Sequence, residues 1–321
     1  MSTKRNIKAT VKNARSLKTK TRRAAPSKKN PVLICIIIAI IAFAAYYFFS
    51  DGGIFSHTPN LPDGFAVHFI DIGQGDCILI QTPDNEFMLI DTGSRSEFPK
   101  LISYLENFGV TEFRYVVFSH PHEDHIGSAY RIVRDFDITG ALIMPPVTNN
   151  TRTFERLVDA IEERGIGVTR PIPGDTYRLG DATFTILAPL SEGYSNINDY
   201  SVVVLLEYGN TSFLFTGDME RRSENELVNH SIENNIDISA DVIKISHHGS
   251  RTSSQQHFLD AINPSIAVIQ VCANNTFGHP TGEVINRLEA MDIEIWRNDW
   301  HGDVVIISDG VNLTVHTSRN N

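Results

Sequence analysis

Cysteine is scarce in this chain, with three residues in 321. Cys35 falls in a long apolar run, and Cys77 and Cys272 sit in apolar, strand-like segments where buried thiols are the default. Their spacing does not specify a pairing. Too few thiols are present for a closed, cysteine-built structural zinc site. Acidic residues are missing from residues 1–30, which carry eleven Lys/Arg, and residues 31–50 carry no charge at all. The rest is short of bases, with 17 against 38 acidic residues, a net of −21. That balance excludes tight, general polyanion binding by the body, because such affinity comes from neutralising phosphates with Lys and Arg. No internal repeat is present.

Residues 1–30 are basic and without hydrophobic period, and read as a disordered tail. The uncharged run "PVLICIIIAIIAFAAYYFF", residues 31–49, has about the ~20 residues of a bilayer-spanning helix, with Tyr46 to Phe49 placed as an interfacial belt. The basic flank predicts a cytoplasmic N-terminus, a single-pass anchor and an extracytoplasmic body. Anionic lipid headgroups are the natural partner of such a tail. The alternative is a cleaved signal peptide, since Ala42-Phe43-Ala44 resembles a cleavage site, but the apolar run exceeds the usual ~7–15 residues. Residues 50–64, rich in Gly, Pro and Asp, read as a linker.

From Phe65 to Thr317 short strands are separated by turn signals. "FAVHFIDI", "CILIQT" and "FMLIDTG" read as an antiparallel meander. A helix is expected near Pro99–Phe108, ended by Gly109, and another over "TRTFERLVDAIEERG", stopping at Gly165. Further helices are expected at "RRSENELVNHSI", "QQHFLDAI" and "TGEVINRLEAM", between strands such as "SVVVLLEYG", "TSFLFTGD", "DVIKIS" and "SIAVIQV". Helices outside strand layers give an α/β sandwich. Asp91, the 120–125 string, Asp218 and the pair at 247–248 each follow an apolar strand, so strand ends from both halves can meet on one edge.

The string "SHPHEDHIG" concentrates metal-capable groups. If it is extended, His120, His122 and Asp124 share one side and His125 turns away. His120 and His122 then suit one ion, and Asp124 and His125 a second. Imidazole nitrogen and carboxylate oxygen favour Zn, Mn or Fe.

These residues, with "FIDIGQGDCILI", "MLIDTG", "NDYSVVVLLEYGNTSFLFTGDME", "IKISHHGS" and "FGHPTGEVINRL", resemble the metallo-β-lactamase fold superfamily, and within it the ComEC-like hydrolase domains of competence DNA uptake. The resemblance implies a four-layer αββα sandwich over 65–317 and two divalent metal ions, Zn or Mn. It implies that His120 and His122 ligate the first ion, and Asp124 and His125 the second. Asp218 would bridge both, and one of His247 and His248 would complete the second site; strand alternation does not decide between them. Asp91 would orient the histidine loop by hydrogen bonds. Many superfamily members carry a further His before the strand leading to the bridging Asp. Here that region reads "SNINDYS", with Asn198 and Asp199 instead, which predicts a more oxygen-rich first site.

Two ions about 3.5–4 Å apart activate water and clamp attacking and leaving oxygens, which suits a phosphodiester better than a lactam. Asp124, His248 and Asp91 are the expected catalytic group. Ser250 and Arg251, in a loop before a helix whose N-terminal amides attract anions, and His279 in "GHP" are candidate substrate contacts. The expected function is a membrane-anchored, extracytoplasmic, metal-dependent phosphodiesterase or nuclease, with DNA as one candidate substrate. The alternatives are a hydrolase of an envelope phosphoester, such as a teichoic-acid phosphocholine ester, and a non-catalytic binding subunit.

Overall fold

A computed structural model describes residues 64–319. The basic tail, the apolar run at 31–49 and the linker up to residue 63 lie outside the described residues, and with them the expected anchor. Among the described residues, no helix is long and apolar enough to cross a membrane.

In chain order the strands are β1 (Phe65–Phe69), β2 (Ile78–Gln81), β3 (Phe87–Ile90), β4 (Glu112–Val117), β5 (Asp137–Ile143), β6 (Val168–Thr169), β7 (Thr176–Leu179), β8 (Ala182–Ala188), β9 (Val203–Tyr208), β10 (Thr211–Phe215), β11 (Val242–Lys244), β12 (Ile266–Ile269), β13 (Glu294–Arg297), β14 (Val304–Ser308) and β15 (Leu313–Thr317). They form two sheets, ordered β15-β14-β1-β2-β3-β4-β5-β6 and β13-β12-β11-β10-β9-β8-β7. The expected meander is present, as β1, β2 and β3 pair antiparallel. Sequence patterning missed β5, β6 and β7. In β5 the period is hidden by exposed residues and by Gly140, where a Cβ would stand 2.4 Å from the Arg114 carbonyl oxygen.

Seven helices position the site: α1 (Phe98–Asn107), α2 (Glu123–Ile126), α3 (Ala129–Asp135), α4 (Arg152–Arg164), α5 (Arg221–Asn234), α6 (Gln256–Ile262) and α7 (Gly282–Ala290). Helix α4 shows the local logic. Thr151 accepts a hydrogen bond from Phe154 N at its start, and Gly165 ends it in the left-handed region at φ 63°, where a glycine carries no Cβ penalty.

Because side chains alternate along a strand, each sheet has two apolar faces. Val67, Ile80, Ile90 and Val117 meet Phe184, Val204, Leu206 and Phe215 between the sheets. Leu79, Leu89 and Val116 turn outward onto Leu101 of α1, Ile132 of α3 and Leu157 of α4. Leu205, Leu214 and Ile243 pack on Leu227 of α5, Phe258 of α6 and Leu288 of α7. The three cores separate four layers, the expected αββα order. Strands buried on both faces read as continuous apolar runs rather than alternating ones. Of the two cysteines among the described residues, Cys77 is buried, while Cys272 is partly exposed, contrary to expectation; neither forms a disulfide.

Strand direction then places the chemistry. β3 and β4 are parallel in one sheet, and β10, β11 and β12 are parallel in the other. Each parallel set delivers its C-terminal ends to a single edge. The two edges are joined by backbone: Val202 N donates to Ser119 O at 2.9 Å. The Gln270 amide, just past β12, donates to the carbonyls of Ile70 and Cys77 at 3.1 and 3.0 Å.

Candidate metal centre

The histidine string leaves β4 extended and then coils. His122 is extended (φ −85°, ψ 153°) and caps α2, which begins at Glu123. The expected alternation through Asp124 is therefore corrected: Asp124 and His125 project from a helical turn rather than from opposite sides of a strand. That turn is pinned from the "GQGD" loop, where Asp76 N donates to Asp124 O at 3.2 Å. Gly75, at φ +140°, lets this backbone approach; a Cβ there would lie 2.2 Å from Asp124 O.

Behind the turn, Asp91 is fully buried. Its Oδ1 accepts from Ser119 N at 2.8 Å, and its Oδ2 accepts from Ser119 Oγ at 2.6 Å and from His125 Nδ1 at 2.7 Å. Nε2 of His125 is thereby turned toward Asp218 Oδ2, 3.2 Å away. Such a carboxylate–imidazole pair sets the tautomer of a ligating histidine. On the neighbouring residue, His120 Nδ1 faces Ser119 Oγ at 3.1 Å. Its Nε2 comes within 2.9 Å of His122 Nδ1, a hydrogen-bond separation that brings the two ring nitrogens together.

Asp218, after β10, lies at the centre. Its Oδ2 is 3.2 Å from His125 Nε2, 3.6 Å from His248 Nε2, 3.8 Å from His247 Nε2 and 3.9 Å from His120 Nε2. Asp124, His125, Asp218 and His248 each offer a ligand atom within 4.8 Å of the others. The choice left open by strand alternation is made by the backbone. His247 and His248 both adopt left-handed φ, 51° and 53°, a conformation that costs non-glycine residues energy and clusters at functional sites. This turn sends His248 inward, with Nδ1 on Gln270 O at 2.8 Å and Nε2 3.3 Å from Asp124 Oδ2. His247 stays partly exposed, its Nδ1 3.2 Å from Glu220 Oε1.

A buried cation was not anticipated. Lys244, at the end of β11, is fully buried. Its ammonium pairs with Asp76 Oδ2, lies 3.7 Å from Asp218 Oδ1 and donates to Gly217 O at 2.9 Å. Asp76 also belongs, with Asp91 and His125, to a second group whose candidate ligand atoms lie within 4.8 Å of one another. The signal for Lys244 was its place inside an otherwise apolar strand, "DVIKIS", where an unpaired ammonium would be prohibitive.

The charges are strongly interdependent. Burial opposes charge on His125 and His248, but the surrounding carboxylates, Asp218 foremost, outweigh it. They raise His125 well above the ordinary imidazole range and His248 to about 10. Burial and the neighbouring charged His125 push His120 and His122 down. Burial disfavours ionised Asp218 and Asp76, yet His125 and His248 lower the first and Lys244 the second.

The donor set fits divalent ions. His125 Nε2, His248 Nε2 and Asp218 Oδ1 are buried without a hydrogen bond, although buried polar atoms are nearly always bonded. The two imidazole nitrogens face the same carboxylate, at its Oδ2, and nitrogen with carboxylate oxygen is the donor set of Zn, Mn and Fe sites. Asp199 does not add to this set: its Oδ1 accepts from Glu220 N and Ser223 N at the start of α5. From the same segment Asn198 lies 3.5 Å from His247 Nδ1, and Ser201 Oγ lies 3.4 Å from His120 Nδ1 and accepts from Asp218 N at 3.0 Å.

The expected substrate contacts divide. Ser250 is buried, its hydroxyl 2.9 Å from Thr252 Oγ1. Just before α6, Ser254 N and Gln255 N are bound by the Glu224 carboxylate. Arg251 is exposed and lines a pocket of about 290 Å³ with Glu220, Arg221, Thr252 and Glu283. His279 is half-buried, its ring 5.5 Å from that of His247; burial first, then His247 and His248, lowers it to about 4.

Comparison with known proteins agrees with this architecture. The family model described as the metallo-beta-lactamase superfamily matches residues 70–272. ComE operon protein 3 of Bacillus subtilis (strain 168) is 29% identical over 263 residues, covering 77% of this chain and 33% of the relative. Competence protein ComA of Neisseria gonorrhoeae is 29% identical over 253 residues, 78% of this chain and 33% of the relative. The chain thus spans about a third of the length of these curated relatives. Among solved structures, CmlA, a diiron beta-hydroxylase from Streptomyces venezuelae, superimposes with a TM-score of 0.52 at 15% identity, over 77% of this chain and 55% of that one, a likeness of fold. With the histidine string, the central Asp218 and the four layers in place, the chain belongs to the metallo-beta-lactamase superfamily, on its ComEC-like branch.

Proposed function

We propose that the chain is a metal-dependent phosphodiesterase acting on nucleic acid, anchored by residues 31–49 with its catalytic body outside the membrane. One observation carries the catalytic part: four imidazoles, from residues 120, 125, 247 and 248, surround the single oxygen Asp218 Oδ2 within 3.9 Å. This arrangement suits a pair of ions sharing one carboxylate, Mn or Zn, with His120 and His122 on one and Asp124, His125 and His248 on the other. A relative named for competence supports a nucleic-acid substrate.

Divalent ions held there supply Lewis acidity toward water and toward a phosphoryl oxygen. The protein's own part is arrangement. Asp91 keeps a proton on Nδ1 of His125, and the Gln270 carbonyl keeps one on Nδ1 of His248, so both Nε2 atoms stay available as ligands. Lys244 neutralises buried carboxylate charge that would otherwise scatter the cluster. His247 is held at Nδ1 by Glu220 with Nε2 facing the centre, placed to give a proton to a departing alkoxide oxygen.

The test is direct. Full-length protein loaded with Mn or Zn is assayed on single-stranded DNA, double-stranded DNA and a bis-aryl phosphodiester. The Mn form is expected to cleave at least one, and His122→Ala none. Absence of cleavage of all three with either metal refutes the proposal.

A further inference from the structure

Phe277 is 67% exposed on the loop after β12, in the string Asn275-Thr276-Phe277-Gly278-His279. The loop holds this ring out by construction. Asn275 Oδ1 accepts from Phe277 N at 3.2 Å and from His279 N at 3.0 Å. Its Nδ2 donates to Cys272 O at 2.8 Å and to His279 O at 2.7 Å. One side chain thus clamps the backbone on both sides of the phenylalanine, and Gly278 turns the chain at φ +72°. Nothing in this clamp requires an aromatic at 277.

The ring is aligned with the site. Phe277 and His279 lie nearly parallel, centroids 5.8 Å apart at 25°. His279 meets His247 edge-on at 5.5 Å, and His247 Nε2 is 3.8 Å from Asp218 Oδ2. Aromatic faces therefore lead from solvent to the metal centre in three steps. His247 also contacts Thr252 at 3.5 Å, on the wall of the 290 Å³ pocket that holds Arg221 and Arg251. In that pocket Glu220 pairs with His247 and Glu283 with Arg287. Neither Arg221 nor Arg251 has an ion-pair partner among the described residues.

We propose that Phe277, backed by His279, is a stacking platform for an unpaired nucleobase beside the scissile phosphate, with Arg221 and Arg251 meeting the next phosphate along a single strand. This deepens the phosphodiesterase reading and rests on it. Every base has a π-face, so stacking on an aromatic ring is strong and tolerant of sequence. It also offers affinity that needs no basic groove, which a body of net charge −21 lacks. A duplex, whose bases already stack on one another, cannot use the platform without opening. A quaternary ammonium headgroup is a poorer match, because its recognition uses an aromatic cage and one exposed ring stands here.

The experiment compares equilibrium binding of a thymidine octamer and of an abasic octamer with the same phosphates, by fluorescence anisotropy, to the full chain in EDTA so that no turnover occurs. The normal chain is expected to prefer the thymidine oligomer, and Phe277→Ala to weaken that oligomer at least about fivefold while leaving the abasic one unchanged. Phe277→Trp is expected to retain the preference. Equal loss of both oligomers in Phe277→Ala, or an undiminished preference, overturns the platform. Failure of the normal chain to distinguish the oligomers overturns it too. If the Mn-loaded chain still cleaves the bis-aryl phosphodiester in that case, the phosphodiesterase reading survives without it.

Discussion

His248 Nε2 lies 3.3 Å from Asp124 Oδ2, although the two residues are 124 positions apart in the chain. The contact separates the roles of two adjacent histidines that sequence patterning treats alike. His248→Ala removes a buried imidazole beside Asp124 and Asp218, whereas His247→Ala removes a partly exposed one beside Glu220. Metal titration followed by elemental analysis is expected to show the second ion lost, or its affinity reduced at least about tenfold, in His248→Ala alone. Equal metal content in the two variants would remove the distinction.

Lys244 and Asp76 form an ion pair with neither side chain appreciably exposed. Replacing one partner of such a pair leaves an uncompensated buried charge, at a cost of about 3–5 kcal/mol. Lys244→Met is expected to lower the melting temperature of metal-free protein by roughly 6–20 °C, and excess Mn to recover part of the loss by restoring positive charge near Asp218. A melting temperature within a degree or two of normal in EDTA would show that Lys244 does not neutralise the cluster.

Glu224 supplies a pH dependence of known sign. Burial lifts its carboxyl to about 7, against about 4.3 in an unfolded chain. Between those values the folded state keeps the proton and the unfolded state has lost it, so folding stability falls as pH rises. The contribution is fully present below about pH 4.3 and gone above 7, with a span of a few kcal/mol, on the order of 3. Urea denaturation of the normal chain and of Glu224→Gln at pH 5, 6, 7 and 8 isolates it. The normal chain is expected to lose stability relative to the variant as pH rises; parallel curves would contradict the assignment.

Gly75→Ala tests the backbone approach that pins α2. The added methyl would meet Asp124 O at 2.2 Å, in a left-handed conformation at φ +140°. The expected result is weaker metal binding with the fold kept, read as an increased metal dissociation constant beside an unchanged far-ultraviolet circular dichroism spectrum. Unaltered metal affinity would show that the turn has slack.

Much of this protein is legible as text because its signals are local. The apolar runs of β1 to β4, the capped helix from Arg152 to Gly165 and the string from His120 to His125 each announce themselves within a dozen residues. What escaped the text depends on neighbours. β5 hides its period because Gly140 yields to the backbone of β4. The Ser254 and Gln255 amides look free until Glu224, thirty residues earlier, is seen to hold them.

Most of the strands and helices (apart from β5 to β7 and α3), the basic tail ahead of an acidic body, and the supply of imidazoles and carboxylates at strand ends were determined by sequence, since each follows from composition or from a short-range period. Only the tertiary structure decided that His248 rather than His247 turns inward, that Asp124 leaves a helical turn, and that Lys244 is buried against Asp76 and Asp218. Periodicity carries no information about which distant chain segments share a volume. In a volume closed to water, the charge and hydrogen bonds of those segments determine which way each side chain faces.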